Sequence, residues 1–461
     1  MDNLTVVILA AGLGTRMKSK KAKVLHEAGG MPLVEHVVAA ASELAPPGRI
    51  FVVVGHQAER VEAALAARGV GFVLQAQQAG TGHALRECRN RIAPLGGDVM
   101  VLYGDCPLLS PATLRRLVEV QRGENTAAAV ITTVLDDPTG YGRILRGPDG
   151  AVRAIVEQKA GTPEELAVRE INSGIYCFRG DLLWKYLAEI TPNPASGEVY
   201  LTDMVELLRK AGYATVPLLL EDPTEVLGIN SRADLAVVDA VFRRRKTMQL
   251  MLSGVTIEKP ETVTIDSGVQ IGIDTVVEPF ARILGKTTIG EDCRIGACSI
   301  VRDSELGDEV EVRPFSMIDA SRIERGVVAG PYARLRMNAV VKAGAQVGNF
   351  VEVKNSQVGP GAKAMHLAYL GDSTVGAKVN IGAGTITCNY DGVRKNHTEI
   401  GEGAFVGSNS TLVAPVEIGA NAYVGAGSVV TEPVPAESLA LGRARQTVKE
   451  GWVRKRLTTP K

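Results

Sequence analysis

Isoleucine and valine recur every six residues through most of the second half of the chain, and no other feature constrains the fold as strongly. Ile265, Ile271, Val277, Ile283, Ile289, Ile295 and Val301 form one unbroken ladder. It resumes at Leu306, Val312 and Ile318, at Val375 and Ile381, and at Ile400, Val406, Leu412, Ile418, Val424 and Val430. Such a period fits neither an amphipathic helix nor a single alternating strand. It predicts a parallel β-helix of hexapeptide repeats, each a short strand and a corner. The aliphatic side chain points inward, and Gly, Asn or Asp suits the corner because these residues tolerate positive φ. Three repeats close one triangular coil that rests on its neighbours.

The first half reads differently. Strand-like runs at Thr5–Ala10, Ile50–Val54, Val99–Leu102 and Ala127–Val134 alternate with helix-like stretches at Leu33–Leu44, Ala58–Arg68, Gly82–Arg91 and Pro111–Gln121. This alternation predicts an α/β fold with a mostly parallel sheet covered by helices. Ligands of such sheets sit at the carboxyl ends of strands, so the loops after Leu9 and Leu102 are the places to look for chemistry. A long helix over Arg232–Leu252 links the halves. The expected domains are 1–231, the linker helix 232–252, and 253–461, with the coil running from near Val255 to about Val430.

Lys+Arg and Asp+Glu both number 51, so the formal net charge is zero and nothing favours a nucleic-acid or membrane partner. The basic run Arg243-Arg244-Arg245-Lys246 then reads as the solvated face of the connecting helix. No apolar stretch reaches membrane-spanning length. The start of the chain lacks the pattern of a signal peptide, which predicts a cytoplasmic protein. The cysteines Cys88, Cys106, Cys177, Cys293, Cys298 and Cys388 form no CxxC pair and are expected to be free thiols.

The loop Leu9-Ala10-Ala11-Gly12-Leu13-Gly14-Thr15-Arg16-Met17 follows the first strand. Small residues there let backbone N–H groups turn toward phosphates. Arg16 and Lys23 can neutralise charge on a triphosphate during displacement at its α-phosphorus. The loop is neither a Walker A loop nor GxGxxG. The whole string resembles that of the sugar-nucleotide pyrophosphorylases. That resemblance implies nucleotide contacts from Leu9, Ala10, Ala11, Gly12, Gly14 and Lys23, and from Gln75, Gly80, Thr81, Tyr103 and Asp105, with Gln75 reading uracil. It implies sugar-phosphate contacts from Gly142, in Tyr141-Gly142, and from Glu157, Asn172 and Asn230. Asp105 and Asn230 are the implied Mg²⁺ ligands, a carboxylate suiting that ion.

Around Gly330–Val341, Lys363–Leu370 and Ile381–Ile400 the six-residue ladder is interrupted, and interruptions of a solenoid mark surface loops. They carry Arg336, His366, Tyr369, Asn389, Tyr390 and Lys395, with Lys354 and Asn380 in the stretches between them. The strings Gly330-Pro331-Tyr332-Ala333-Arg334-Leu335-Arg336, His366-Leu367-Ala368-Tyr369-Leu370-Gly371-Asp372 and Asn380-Ile381-Gly382-Ala383-Gly384-Thr385-Ile386-Thr387-Cys388-Asn389-Tyr390-Asp391-Gly392 resemble the bacterial bifunctional N-acetylglucosamine-1-phosphate uridyltransferase and glucosamine-1-phosphate acetyltransferase family. The resemblance covers almost the whole chain.

It implies a left-handed coil behind a Rossmann-like nucleotidyltransferase domain, and two reactions. Acetyl-CoA would acetylate glucosamine 1-phosphate on the coil. UTP would then couple with the N-acetylglucosamine 1-phosphate, giving UDP-N-acetylglucosamine and pyrophosphate. It also implies a homotrimer with acetyl-transfer sites between coils. His366, whose ordinary pKa suits a general base, would be catalytic, as would Arg16 and Lys23 at the other site. Arg336, Lys354, Tyr369 and Asn380 would hold the sugar phosphate. Ala383, Asn389, Tyr390, Lys395, Ser408, Ala426 and Arg443 would meet acetyl-CoA. Two positions depart from the family pattern: Ala22 replaces a common Pro before Lys23, and Leu13 stands where Lys is common.

Two other readings remain. One is a single-function nucleotidyltransferase whose coil only regulates or oligomerises, as in ADP-glucose pyrophosphorylases. The other is an assembly scaffold with a degenerate nucleotide fold, against which the intact Gly12, Gly14, Arg16, Lys23 and Asp105 set counts.

Overall fold

The computed structural model describes residues 3–194 and 197–457. The chain divides into two compact units, Met1–Phe242 and Arg243–Lys461. The division falls inside the helix Arg232–Leu252. Leu235, Val238 and Phe242 on its first half pack with Met17, Leu33 and Ile229 of the first unit. Leu250 and Met251 on its last turn join the coil's core. Among the described residues no helix is long and apolar enough to cross a membrane.

The first unit is built on a sheet whose main path runs Ala214–Leu220, Thr126–Val134, Glu170–Arg179, Asp98–Tyr103, Leu4–Leu9, Ile50–Val54, Gly71–Leu74. Leu4–Leu9 is buried at every position, as a central strand covered on both faces must be. Only Glu170–Arg179 runs against its neighbours in this path. A hairpin, Gly142–Arg146 and Val152–Val156, attaches to it through Asn172↔Gly142. The helix Pro111–Gln121 starts where the sequence places it, with Ser110 accepting from Thr113 N and Pro111 in the first turn. All six cysteines are free, and burial pushes the Cys88 thiol up to about 12.

The second unit is a coil of three parallel sheets, of 11, 10 and 9 strands among the described residues, each strand pairing with the third one on until Tyr423–Val424 pairs with Leu439–Ala440 at the end. One column runs Ile265↔Ile283↔Val301↔Ile318↔Leu335↔Val353↔Leu370, every member fully buried. The coil therefore passes through two of the three expected interruptions. Ala329 and Ala364 take inward positions there, so geometry continues where the Ile/Val signal fades. The phase slips for a second reason: Val301 to Leu306, Ile318 to Ile323, Val353 to Val358 and Leu370 to Val375 are five-residue steps at one corner. Of the three, only the segment between Ile386–Cys388 and Thr398–Ile400 leaves the coil as a loop.

The corners also differ from expectation. One corner column holds Phe280, Phe315, Tyr332, Phe350 and Leu367 at positive φ, where Gly, Asn or Asp suits better. Phe315, Tyr332 and Phe350 stack with ring centroids 5.1 Å apart and are 52, 47 and 56% exposed.

Candidate functional sites

At the carboxyl end of Leu4–Leu9 the chain turns through Ala10–Gly14 into a short helical turn, Thr15–Met17, which carries Arg16. Gly14 adopts φ 61°, and a Cβ there would lie 2.7 Å from Lys23 Cβ, so a side chain would push Lys23 away. A cavity of about 390 Å³ opens beside this loop. Of the residues expected at the nucleotide, Leu9, Ala10, Ala11, Gly12, Lys23, Gln75, Gly80, Thr81, Tyr103 and Asp105 line it, as does Asn230. Gly14 supports it from behind Lys23.

Cations and oxygens meet at one point of the wall. Lys23 Nζ pairs with the Asp105 carboxylate and lies 3.3 Å from Asn230 Oδ1. Arg16 Nη2 donates to the same Oδ1 at 2.8 Å. Asn230 is held in turn by Asp234, whose Oδ2 accepts from the N–H groups of Asn230 (2.9 Å) and Ser231 (2.8 Å). Burial opposes ionisation of Asp234, but these hydrogen bonds and the Arg16 charge outweigh it, and its pKa is lowered. Asp234 was not singled out from the sequence. Its signal is Ser231-x-x-Asp234, the capping pattern that opens the long helix.

Gln75 is buried, its Nε2 placed 3.1 Å from both Gly80 O and His83 Nδ1. The Oε1 is left as the acceptor. Tyr103 is half-buried at the cavity wall, and burial pushes its phenol up. Its ring packs where a Cβ on Gly174 would stand, 2.5 Å away, with Gly174 at φ 80°. Beyond Tyr103 lie the residues expected at the sugar. A Cβ on Gly142 would be 3.6 Å from Asn172 Cβ and 3.7 Å from Glu157 Oε1. Asn172 Oδ1 accepts from Gly174 N and Tyr176 OH, each at 2.9 Å. Burial raises the Glu157 pKa, and the Thr202 hydroxyl lies 3.4 Å from its Oε1. Gln78 and Glu198 also line the cavity and carry no local motif that marks them.

On the coil, the expected residues fall into two groups. The first follows one corner through successive turns. Leu367 N bonds Asn349 O (3.0 Å), Gly384 N bonds Leu367 O (3.1 Å), Asn409 N bonds Ala383 O (2.7 Å) and Gly427 N bonds Ser408 O (2.8 Å). His366, Ala383, Ser408 and Ala426 are thus stacked along one edge, and Arg443 Nη1 donates to Ala426 O at 2.6 Å. His366 Nδ1 sits 2.7 Å from Asn349 Oδ1. A carbonyl oxygen can only accept, so Nδ1 carries the proton and Nε2 offers its lone pair. Asn349, missed as a site residue, sets this tautomer.

The second group lies at the far end of the next face. Arg336, Lys354 and Gly371 are in register, and Arg336 Nε donates to Glu352 Oε1 at 2.6 Å. Asp372 accepts from Asn355 Nδ2 at 2.6 Å and from Asn389 Nδ2. The Tyr369 ring lies over Gly371. Lys354 is only 8% exposed, and its ammonium lowers the pKa of the adjacent Lys395. Two neighbouring ammoniums make this a strong place for an anion. Tyr390, in the loop, donates to Gly392 O at 2.6 Å. Asn380 stands on the first face, in register with Lys363 and Phe405, and belongs to neither group. No hydrogen bond links the two groups within one chain among the described residues.

No group of three or more His, Cys, Asp or Glu is placed to hold a metal among the described residues. Asp105 and Asn230 nonetheless fit Mg²⁺. Their oxygens already share one cation, the Lys23 ammonium, and Mg²⁺ needs few protein ligands when phosphate and water supply the rest.

A glycine-lined, cation-rich cavity on an α/β sheet and a histidine-bearing parallel coil define a nucleotidyltransferase fused to a hexapeptide-repeat transferase. Residues 6–162 match the MobA-like NTP transferase domain, and residues 268–303 and 397–432 match the bacterial transferase hexapeptide (six repeats). The chain is 60% identical to the bifunctional protein GlmU of Solibacter usitatus, over 98% of this chain and 97% of that one. It is 50% identical to the GlmU of Koribacter versatilis (98% and 97% covered) and 47% identical to that of Enterococcus faecalis (99% of each). The chain belongs to the bifunctional GlmU family.

Proposed function

We propose that this chain makes UDP-N-acetylglucosamine by two consecutive transfers, one in each unit. On the coil, acetyl passes from acetyl-CoA to the amine of glucosamine 1-phosphate. Nε2 of His366 takes a proton as the amine attacks the thioester, and CoA leaves as the thiol. Arg336 and Lys354 receive the sugar phosphate, and Lys395, beside Lys354, meets acetyl-CoA. Tyr369 and Asn380 bond sugar hydroxyls. Asn389, Tyr390, Ser408, Ala383, Ala426 and Arg443 meet acetyl-CoA.

In the first unit, a phosphate oxygen of N-acetylglucosamine 1-phosphate attacks the α-phosphorus of UTP, and pyrophosphate leaves. Arg16, Lys23 and the N–H groups of Ala10–Gly14 stabilise the charge that develops. Gln75 Oε1 accepts from uracil N3–H. Gly142, Glu157 and Asn172 position the sugar. Mg²⁺, held by Asp105 and Asn230, would screen the triphosphate and polarise its phosphorus–oxygen bonds.

The coil sites are completed by neighbouring subunits of a homotrimer. Support comes from the two separated groups, neither a full acetyltransferase site by itself, and from the exposed Phe315–Tyr332–Phe350 column, a contiguous apolar strip of the kind subunit contacts cover. The functional domains are 1–231 and 253–461, joined by the helix 232–252, in a cytoplasmic enzyme. One observation carries the reading: Arg16 and Lys23 gather at the first unit's cavity, while His366, Lys354 and Lys395 stand on the coil. Incubation of purified protein with glucosamine 1-phosphate, acetyl-CoA, UTP and Mg²⁺ tests it. CoA thiol and pyrophosphate should both appear, each dependent on its own donor; pyrophosphate without thiol points to a single-function nucleotidyltransferase.

A further inference from the structure

A second polar cavity, of about 210 Å³, opens in the first unit at the amino ends of Thr126–Val134 and Ala214–Leu220. These strands run parallel to Leu4–Leu9, so this is the sheet edge opposite the nucleotide cavity. Asn125, Asp149, Arg153, Arg209, Tyr213 and Thr215 form most of its polar wall. Thr215 is 2% exposed, and its Oγ1 has no hydrogen-bond partner. A buried hydroxyl left unmet is rare in folded proteins. Neither the Arg153 nor the Arg209 guanidinium makes an ion pair or hydrogen bond among the described residues. Asp149 Oδ1 already accepts from Ala151 N at 3.1 Å in its own turn. The wall therefore offers two unpaired guanidiniums against one occupied carboxylate, with the Tyr213 side chain alongside.

That donor set suits a tetrahedral oxyanion, since guanidinium forks match phosphate oxygens. The size narrows it further. Pockets for drug-sized ligands run to about 300–1,000 Å³, so this one takes phosphate or a small phosphomonoester. The pocket is also connected. The helix Asp203–Lys210 packs on the strand Val152–Val156, and both lead away from it. Arg209 and Arg153 mark the pocket ends of the two elements. Thr202 and Glu157, in mutual contact, mark the ends at the proposed sugar site.

We propose that this pocket is an effector site for inorganic phosphate or a small phosphomonoester, read out at the sugar end of the first unit through that helix–strand pair. The coupling rests on the uridyltransferase reading above; the binding does not. Calorimetric titration of the full chain with inorganic phosphate, and separately with glycerol 3-phosphate, tests the binding in wild type and in the double variant Arg153→Gln/Arg209→Gln. The difference between the two proteins isolates this pocket from anion binding elsewhere. At least one probe should bind wild type and weaken roughly tenfold or more in the double variant; the tighter probe identifies the source. That probe should also shift the KM for N-acetylglucosamine 1-phosphate about threefold or more in wild type and not in the double variant. Equal binding by both proteins, or binding that leaves KM unmoved, overturns the proposal. Absence of uridyl transfer in the unliganded wild type would instead strike the active-site reading, and the titration would still decide whether the pocket binds.

Discussion

The two units solve the problem of gathering reactive side chains in opposite ways. In the first, residues from Leu9 to Asn230 line one cavity, because crossovers of an α/β sheet bring distant stretches to the same edge. In the second, each strand meets only the strands one turn away, so side chains from distant turns stay apart. A sheet can close a site within one chain. A solenoid presents rows of groups along its surface, here one row with His366 and another with Lys354, which the proposed trimer would bring together.

The comparison can be broken most sharply at the closed cavity. Arg16→Ala should lower kcat for uridyl transfer by about 10²–10³-fold, as loss of one charge-stabilising donor does, with acetyl transfer unchanged. Parallel steady-state assays of the two products check this. Next comes the open site. Phe350→Glu places a charge in the aromatic column and should dissociate the subunits. Acetyl transfer should then drop roughly tenfold or more at low protein concentration, while uridyl transfer holds. Sedimentation read beside both activities decides it, and a dissociated protein with full acetyl transfer would show that one coil suffices.

Stability should follow the same division. Leu335→Ala opens a cavity in the fully buried column and should destabilise the coil by about 2–5 kcal/mol. Urea unfolding followed by near-UV circular dichroism should show this loss in the coil's transition alone. The smallest effect concerns pH. His36 is buried, stacked on Phe242 at 4.0 Å, and burial lowers its pKa. The folded first unit therefore binds this proton less readily than the unfolded chain. Stability is intact above the unfolded value of about 6.5 and declines as pH falls below it. His36→Phe should flatten that decline in melting temperature between pH 7 and 5 in part, since burial also lowers the pKa of His26.

Much of this architecture is legible in the residues because each signal is local. The six-residue ladder writes the coil directly, and the loop from Leu9 to Met17 writes the phosphate turn. Positions where another side chain satisfies the same geometry are harder to see. Ala329 and Ala364 continue the inward column without its aliphatic signature, and Thr387 turns a polar side chain inward, its Oγ1 accepting from Gly371 N at 2.8 Å and donating to Gly371 O at 3.1 Å. Phe315 and Tyr332 hold left-handed corners that glycine or asparagine normally fills. Residues that act through a neighbour were also hidden. Asn349 fixes His366 across a pairing that exists only once the chain has folded, whereas Asp234 fixes Asn230 from four residues away.

Both reaction rates measured side by side on Asp105→Ala and on His366→Ala probe the division of labour most directly. The first variant should release CoA thiol normally and almost no pyrophosphate from UTP, and the second should do the reverse when supplied with N-acetylglucosamine 1-phosphate. A folded variant of either kind in which both reactions stop together would show that the two units do not hold independent sites.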